Sequence, residues 1–120
     1  MPAVYNEGPL AVICGIAYPY RGHRLSKAQF SWPFARATLL QDRIILAPRG
    51  PFAIAGKKDI PYQAVTVVEI VGNLGGISVE FRFRSANPDV DGVSLTAWRR
   101  DAGRINEALA ARGVNVDESS

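Results

Sequence analysis

Apolar and polar residues alternate without a break from Ile77 to Arg84. Ile77, Val79, Phe81 and Phe83 fall on one face, and Ser78, Glu80, Arg82 and Arg84 on the other. A period of two marks a half-buried antiparallel strand, so GISVEFRFR predicts one over 76–84. The valine-rich AVTVVEIVG (64–72) predicts its neighbour, and the linking NLGG supplies the small residues that a hairpin with positive φ needs. Upstream, FARATLL (34–40) and RIILA (43–47) read as short strands parted by a tight turn at Gln41 and Asp42. PRGP (48–51) is a second turn, and PFAIAG offers Phe52 and Ile54 at period two as a further strand. Ile60-Pro61-Tyr62 should leave the sheet, because proline cannot donate to a ladder. SANPDVDG (85–92) reads as a polar loop. VSLTAW (93–98) alternates again, with Val93, Leu95 and Ala97 inward.

The period then changes to that of a helix. Ala102, Ile105 and Leu109 form one stripe, predicting an amphipathic helix of about twelve residues and about 18 Å. Asp101 near its start and Arg112 near its end both suit the helix dipole. Gly113 is a natural residue just past the C-terminus, and the tail 115–120 is expected to fray. Leu10 to Ala17 is apolar enough for a strand, while YPYRGHRLSKAQFSW (18–32) reads as a long loop. Both faces of Val65 to Val71 are apolar, which asks for self-association or a covering element. Residues 1–31 are therefore expected as a cover or an extra strand. No repeat interrupts the chain, and 120 residues suffice for one core, so 1–120 reads as a single domain.

Three stretches carry a family resemblance. WPFARATLLQDRIIL (32–46) resembles the opening hairpin of bacterial pleckstrin-homology-like (PH-like and GRAM-like) domains. IPYQAVTVVEI (60–70) resembles their segment in which an Ile-Pro turn leads into a strand with a Val-Glu pair. LTAWRRDAGRINEALAARGV (95–114) is similar to their last strand and closing helix. The resemblance implies an α+β, mainly β fold: a bent antiparallel sheet or partly open barrel of six or seven strands, closed by one C-terminal helix. It implies no particular chemistry, since such scaffolds host lipid, peptide and protein binding alike. Two registers are open. If 34–40 is the first strand, the basic loop typical of phosphoinositide binders shrinks to Gln41-Asp42. If 10–17 is the first strand, the loop becomes Tyr18 to Pro33 and carries Arg21, His23, Arg24 and Lys27. The first is preferred, because 32–46 matches the bacterial opening better.

Composition narrows the chemistry. The net charge is +3, with eleven of the fourteen basic residues arginine, a balance that does not demand nucleic acid or membrane. The single Cys14 excludes an internal disulfide framework and suits a reducing compartment. PLAVICGIAY (9–18) has Glu7 before it and no basic residue before Arg21, unlike an export signal. At ten residues it is also too short to span a bilayer. In AVICG, Ile13 stands where lipid-modified cysteines have a small residue. A cytoplasmic location is expected. Cys14 and His23 are the sole residues of their kinds, so no metal site is credible, and no cofactor is expected. Asp89 and Asp91 lack the later positions of a calcium loop. GNLGG lacks the Lys-Ser/Thr of a phosphate loop and leads into a strand.

What is left is binding. The candidate residues are Arg82 and Arg84 on an exposed strand face, with Arg36 beside them, and Trp98 followed by Arg99 and Arg100. Trp98 shares the outward parity of Ser94 and Thr96, yet is expected to turn in at the strand–helix junction and pack under Ile105. Left exposed, it would be a partner-binding anchor, and Trp32 faces the same choice. The alternative is a weak lipid site at Arg21, Arg24, Lys27, Lys57 and Lys58. Nucleic acid is disfavoured, because Phe81 and Phe83 point into the core rather than between the basic residues. The first reading is a non-enzymatic PH-like binding or scaffold domain, acting on a protein partner or on itself. Peripheral binding of anionic phospholipid headgroups comes second, and an enzyme built around Cys14 or His23 a distant third.

Overall fold

The computed structural model describes residues 9–19, 27–72 and 76–118. Eight strands among them form one curled, mixed sheet: β1 (Leu10–Pro19), β2 (Lys27–Leu39), β3 (Arg43–Pro48), β4 (Lys58–Pro61), β5 (Val67–Gly72), β6 (Ser78–Arg84), β7 (Ser94–Trp98) and β8 (Val116–Glu118). The spatial order is β4-β3-β2-β1-β7-β6-β5-β8. Neighbours are antiparallel except β5 and β8, which run parallel. One helix, α1 (Arg99–Ala111), follows β7. The fold is α+β and mainly β.

Alternation explains the core. Phe81 and Phe83 on β6 are fully buried, opposite Leu95 and beside Val93, while Ala35, Ala37 and Leu39 do the same on β2. Each large side chain buried this way contributes about 1.5–3 kcal/mol of transfer free energy. Ala102, Ile105 and Leu109 lay the helix stripe on this surface. α1 then ends in a Schellman motif. Gly113 takes φ 79°, its N–H donates to the Ala110 carbonyl at 3.1 Å, and that of Val114 to Leu109 at 3.0 Å. The Arg112 guanidinium ties this end to the β2–β3 turn by donating to the Leu40 carbonyl at 2.7 Å.

Several expectations need correction. The strands number eight among the described residues, not six or seven, because Leu10–Pro19 is a strand and Val116–Glu118 pairs with β5 instead of fraying. β1 lies between β2 and β7 within the sheet, so of the cover and the extra strand expected within 1–31 the described residues give the strand. It is also the first strand among the described residues, which overturns the preferred register with 34–40 first; residues 20–26, between β1 and β2 in sequence, lie outside the described residues. Phe52 and Ile54 belong to a 3-10 helix, Gly50–Ala55, whose opening Gly50 has φ 65° and whose end is capped by Gly56 at φ 87°. Pro61 stays in the sheet, because β4 is an edge strand and a missing N–H costs nothing on its open side.

Candidate functional site

The site begins with an interruption of the β1–β2 ladder. Cys14 pairs with Ala35, but Ile16 pairs with Phe30, so Ser31, Trp32, Pro33 and Phe34 together face Gly15 alone. The bulged segment includes a cis Trp32-Pro33 bond. An extra loop of strand cannot keep the inward–outward alternation, and it carries Trp32 and Phe34 to the surface at 46% and 37% exposure. Phe52, from the 3-10 helix, is 42% exposed. Its ring meets Phe34 at 5.3 Å and the half-buried Phe30 at 5.6 Å, both favourable tilted or edge geometries.

Arginines line a cleft beside Trp32. Arg49 donates its backbone N–H to the Phe34 carbonyl and its guanidinium to the Pro33 carbonyl, both at 2.8 Å. It therefore holds the bulge from the β3 side. From the other side come Arg100 and Arg104 of α1, sharing the carboxylate of Asp101 at 3.9 Å each. Ala11, Val12 and Ile13 of β1, Trp32 and these three arginines line a cleft of about 350 Å³. Three guanidiniums and one carboxylate line the cleft, so it is net positive.

Trp98 keeps its strand parity instead of turning in. It pairs with Ser78 across β6–β7, on the face opposite to the buried Leu95 and Ala97, and its ring meets Trp32 edge-on at 5.4 Å. The packing partner that the sequence could not reveal is Trp32. Arg99 and Arg100, adjacent in sequence, separate. Arg99 donates to the Gly76 carbonyl at 3.1 Å and lines a different, larger hollow of about 610 Å³ between α1 and β5–β6.

Arg82 and Arg84 lie elsewhere and are neutralised. Arg82 bonds Glu80 at 3.1 Å, and Arg84 lies 3.6 Å from Asp91. Arg36 does not join them, since β1 and β7 stand between β2 and β6. Asp91 also accepts the Ser85 N–H at 3.0 Å, and Asn87 that of Asp89 at 2.9 Å, so the 85–92 loop is braced by its own side chains. Of the alternative set, Arg21 and Arg24 lie outside the described residues, and so does the side chain of Lys27. Lys57 is exposed, and the Lys58 ammonium sits 5.8 Å from the centre of the Tyr18 ring.

Burial weighs against a thiol nucleophile. Cys14 is fully buried, and burial pushes its thiol up to about 12, leaving negligible thiolate at neutral pH. His23 lies outside the described residues. Among the described residues no three His, Cys, Asp or Glu side chains cluster as metal ligands, and no helix is long and apolar enough to cross a membrane. No protein-family model matches this chain, and no curated protein aligns with it.

Proposed function

We propose that this chain is a non-enzymatic PH-like binding domain that works through protein contact at the surface around the β2 bulge. One observation carries the reading. Of the four large apolar side chains exposed among the described residues, three gather at this bulge, and one of them, Trp32, lines a cleft together with three arginines. Trp and Arg are the residues that dominate binding energy at protein interfaces. The strand order, with β1 shared between two halves of a bent sheet and a helix after β7, is consistent with the PH-like resemblance. The buried, un-ionised Cys14 fits a binding role and a reducing, cytoplasmic setting. Peptide display on the protein, with counter-selection on a Trp32→Ala/Phe34→Ala variant, tests the assignment. Selected peptides should lose at least tenfold in affinity for the folded variant, the loss typical of hot-spot truncation. Peptides that bind both forms equally would sink it.

A second reading is favoured by the register of β1. With Leu10–Pro19 as first described strand, Arg21 and Arg24 fall in sequence between β1 and β2, and Lys58 stands beside Tyr18 near the end of β1. Basic residues near an anionic surface contribute about 1 kcal/mol each, which makes a weak peripheral lipid site. Co-sedimentation with neutral and anionic liposomes at low and physiological salt tests it. Binding should require anionic lipid, weaken with salt, and fall in Lys57→Ala/Lys58→Ala; equal binding to neutral vesicles would end this reading.

A further inference from the structure

We propose that the cleft between β1 and α1 receives an extended acidic segment of a protein partner, which pairs with the open edge of β1 as an added strand. The inference deepens the protein-contact reading and rests on it. β1 pairs with β2 from Leu10 to Pro19, apart from the break at Gly15, but β7 covers only Gly15–Ala17 on its other side. β7 ends at Trp98 and the chain turns away into α1. On that side, Leu10–Val12 has no strand partner among the described residues. A free strand edge presents backbone N–H and C=O groups that ask for a partner. Ala97 and Trp98 end β7 next in register to Cys14 and Ile13, so the fully open stretch is Leu10–Val12, about 10 Å of ladder and a short strand.

The cleft lies along this edge, with Ala11, Val12 and Ile13 in its lining. Arg100 and Arg104 are four apart and so share one face of α1 above it. Arg49 and Trp32 stand across from them. The charge chooses the occupant: a lining with three guanidiniums and the single carboxylate of Asp101 favours added carboxylates, which arginine binds in a planar, two-pronged fashion. Side chains of an added strand project alternately. A segment with Glu or Asp at every second position would turn its carboxylates to α1, leaving the intervening apolar residues over Ile13 and Trp32. Guanidiniums would take a phosphate headgroup equally well, but only a polypeptide can use the strand edge. That favours a protein partner over a membrane.

The probe is a fluorescein-labelled peptide of alternating Glu and Val, compared with its Gln-for-Glu counterpart and with a form N-methylated at alternate amides. Anisotropy gives affinity, and amide chemical shifts give the location. The Glu peptide should bind and shift Ala11–Ile13. It should bind about tenfold or more weakly to Arg100→Gln/Arg104→Gln, whose altered side chains are exposed, while Arg82→Gln changes nothing. The N-methylated peptide should bind at least tenfold more weakly, because its ladder bonds are blocked. Equal binding by the N-methylated form would overturn strand addition. No binding by the Glu peptide, while display-selected peptides still depend on Trp32, would overturn this inference and leave the protein-contact reading standing. Anionic vesicles that bind through Arg100 and Arg104 would assign the cleft to a membrane and overturn it as well.

Discussion

Gly15 is the hinge on which the candidate surface depends, and replacing it with alanine gives a sharp test. Four residues of β2 pass in front of it, and their backbone comes very close. A methyl group there would lie 3.2 Å from the Phe30 carbonyl oxygen and 3.3 Å from the Trp32 nitrogen, where ordinary contact begins at 3.4 Å. The neighbours must yield by a few tenths of an ångström, and both are main-chain atoms, so no flexible side chain can swing aside. Overpacking of this kind costs about 1–3 kcal/mol. Alanine restores about 0.4–1 kcal/mol by stiffening the unfolded chain. The balance is a destabilisation of about 1–2 kcal/mol. For a chain of this length, an unfolding entropy near 2.1 cal/mol/K per residue converts that to a fall of about 4–8 °C in Tm. Urea titration and thermal melts of Gly15→Ala measure it directly. Near-UV circular dichroism should change too, because the displaced strand carries Trp32. A variant as stable as the parent, or one that melts lower with its tryptophan signals intact, would refute the claim that Gly15 sets the bulge.

Three other outcomes are expected. Burial holds Cys14 neutral up to about 12 from an ordinary 9.0, and Tyr18 and Tyr62 up to about 12 from 10.0. Groups with raised pKa values stabilise the fold fully below their unfolded values, so the urea midpoint should hold level from neutral to about pH 9 and fall towards pH 12, and a rise over that window would contradict the assignment. Arg112→Ala removes guanidinium bonds to the Leu40 and Ala108 carbonyls and should cost about 1–2 kcal/mol, read as a lower urea midpoint at unchanged slope; an unmoved midpoint would mean that α1 docks without it. The edge-on Trp32–Trp98 pair should give a coupled tryptophan signal in far-UV circular dichroism that vanishes in both Trp32→Phe and Trp98→Phe, and survival in either would place the rings apart.

Local chemistry was enough to read much of the scaffold. β6 alternates because one face meets the core and the other meets solvent. The stripe of Ala102, Ile105 and Leu109 and the stop at Gly113 depend only on residues within a few turns. β1 was harder, since Ala11, Ile13 and Ala17 are apolar on the face away from Val12, Cys14 and Ile16, and no period survives. The structure supplies a reason: Ile13 points outward yet lines the cleft. The 3-10 helix was misread as a strand because two apolar residues at spacing two fit either form, and the glycines that bend the chain at each end show their positive φ only in three dimensions.

The surface itself was barely legible, and the cause is topological. Arg49 follows β3, Trp32 sits in a bulge of β2, and Arg100 and Arg104 open α1, so nearly seventy residues of chain separate groups that share one cleft. Neighbours in sequence are the natural grouping, and the fold regroups them: Arg99 and Arg100 part company, while Arg82 and Arg84 are matched by Glu80 and Asp91. A charged residue becomes available for a partner only when the fold leaves it short of counter-charge: Arg82 takes its counter-charge from Glu80 on the same strand, and Arg84 from Asp91 in the loop that follows. The single trace left in the sequence is SWPF. A strand that is headed for a ladder has little use for proline between two large exposed aromatics, and the segment makes sense as the place where pairing is given up so that a surface can be built.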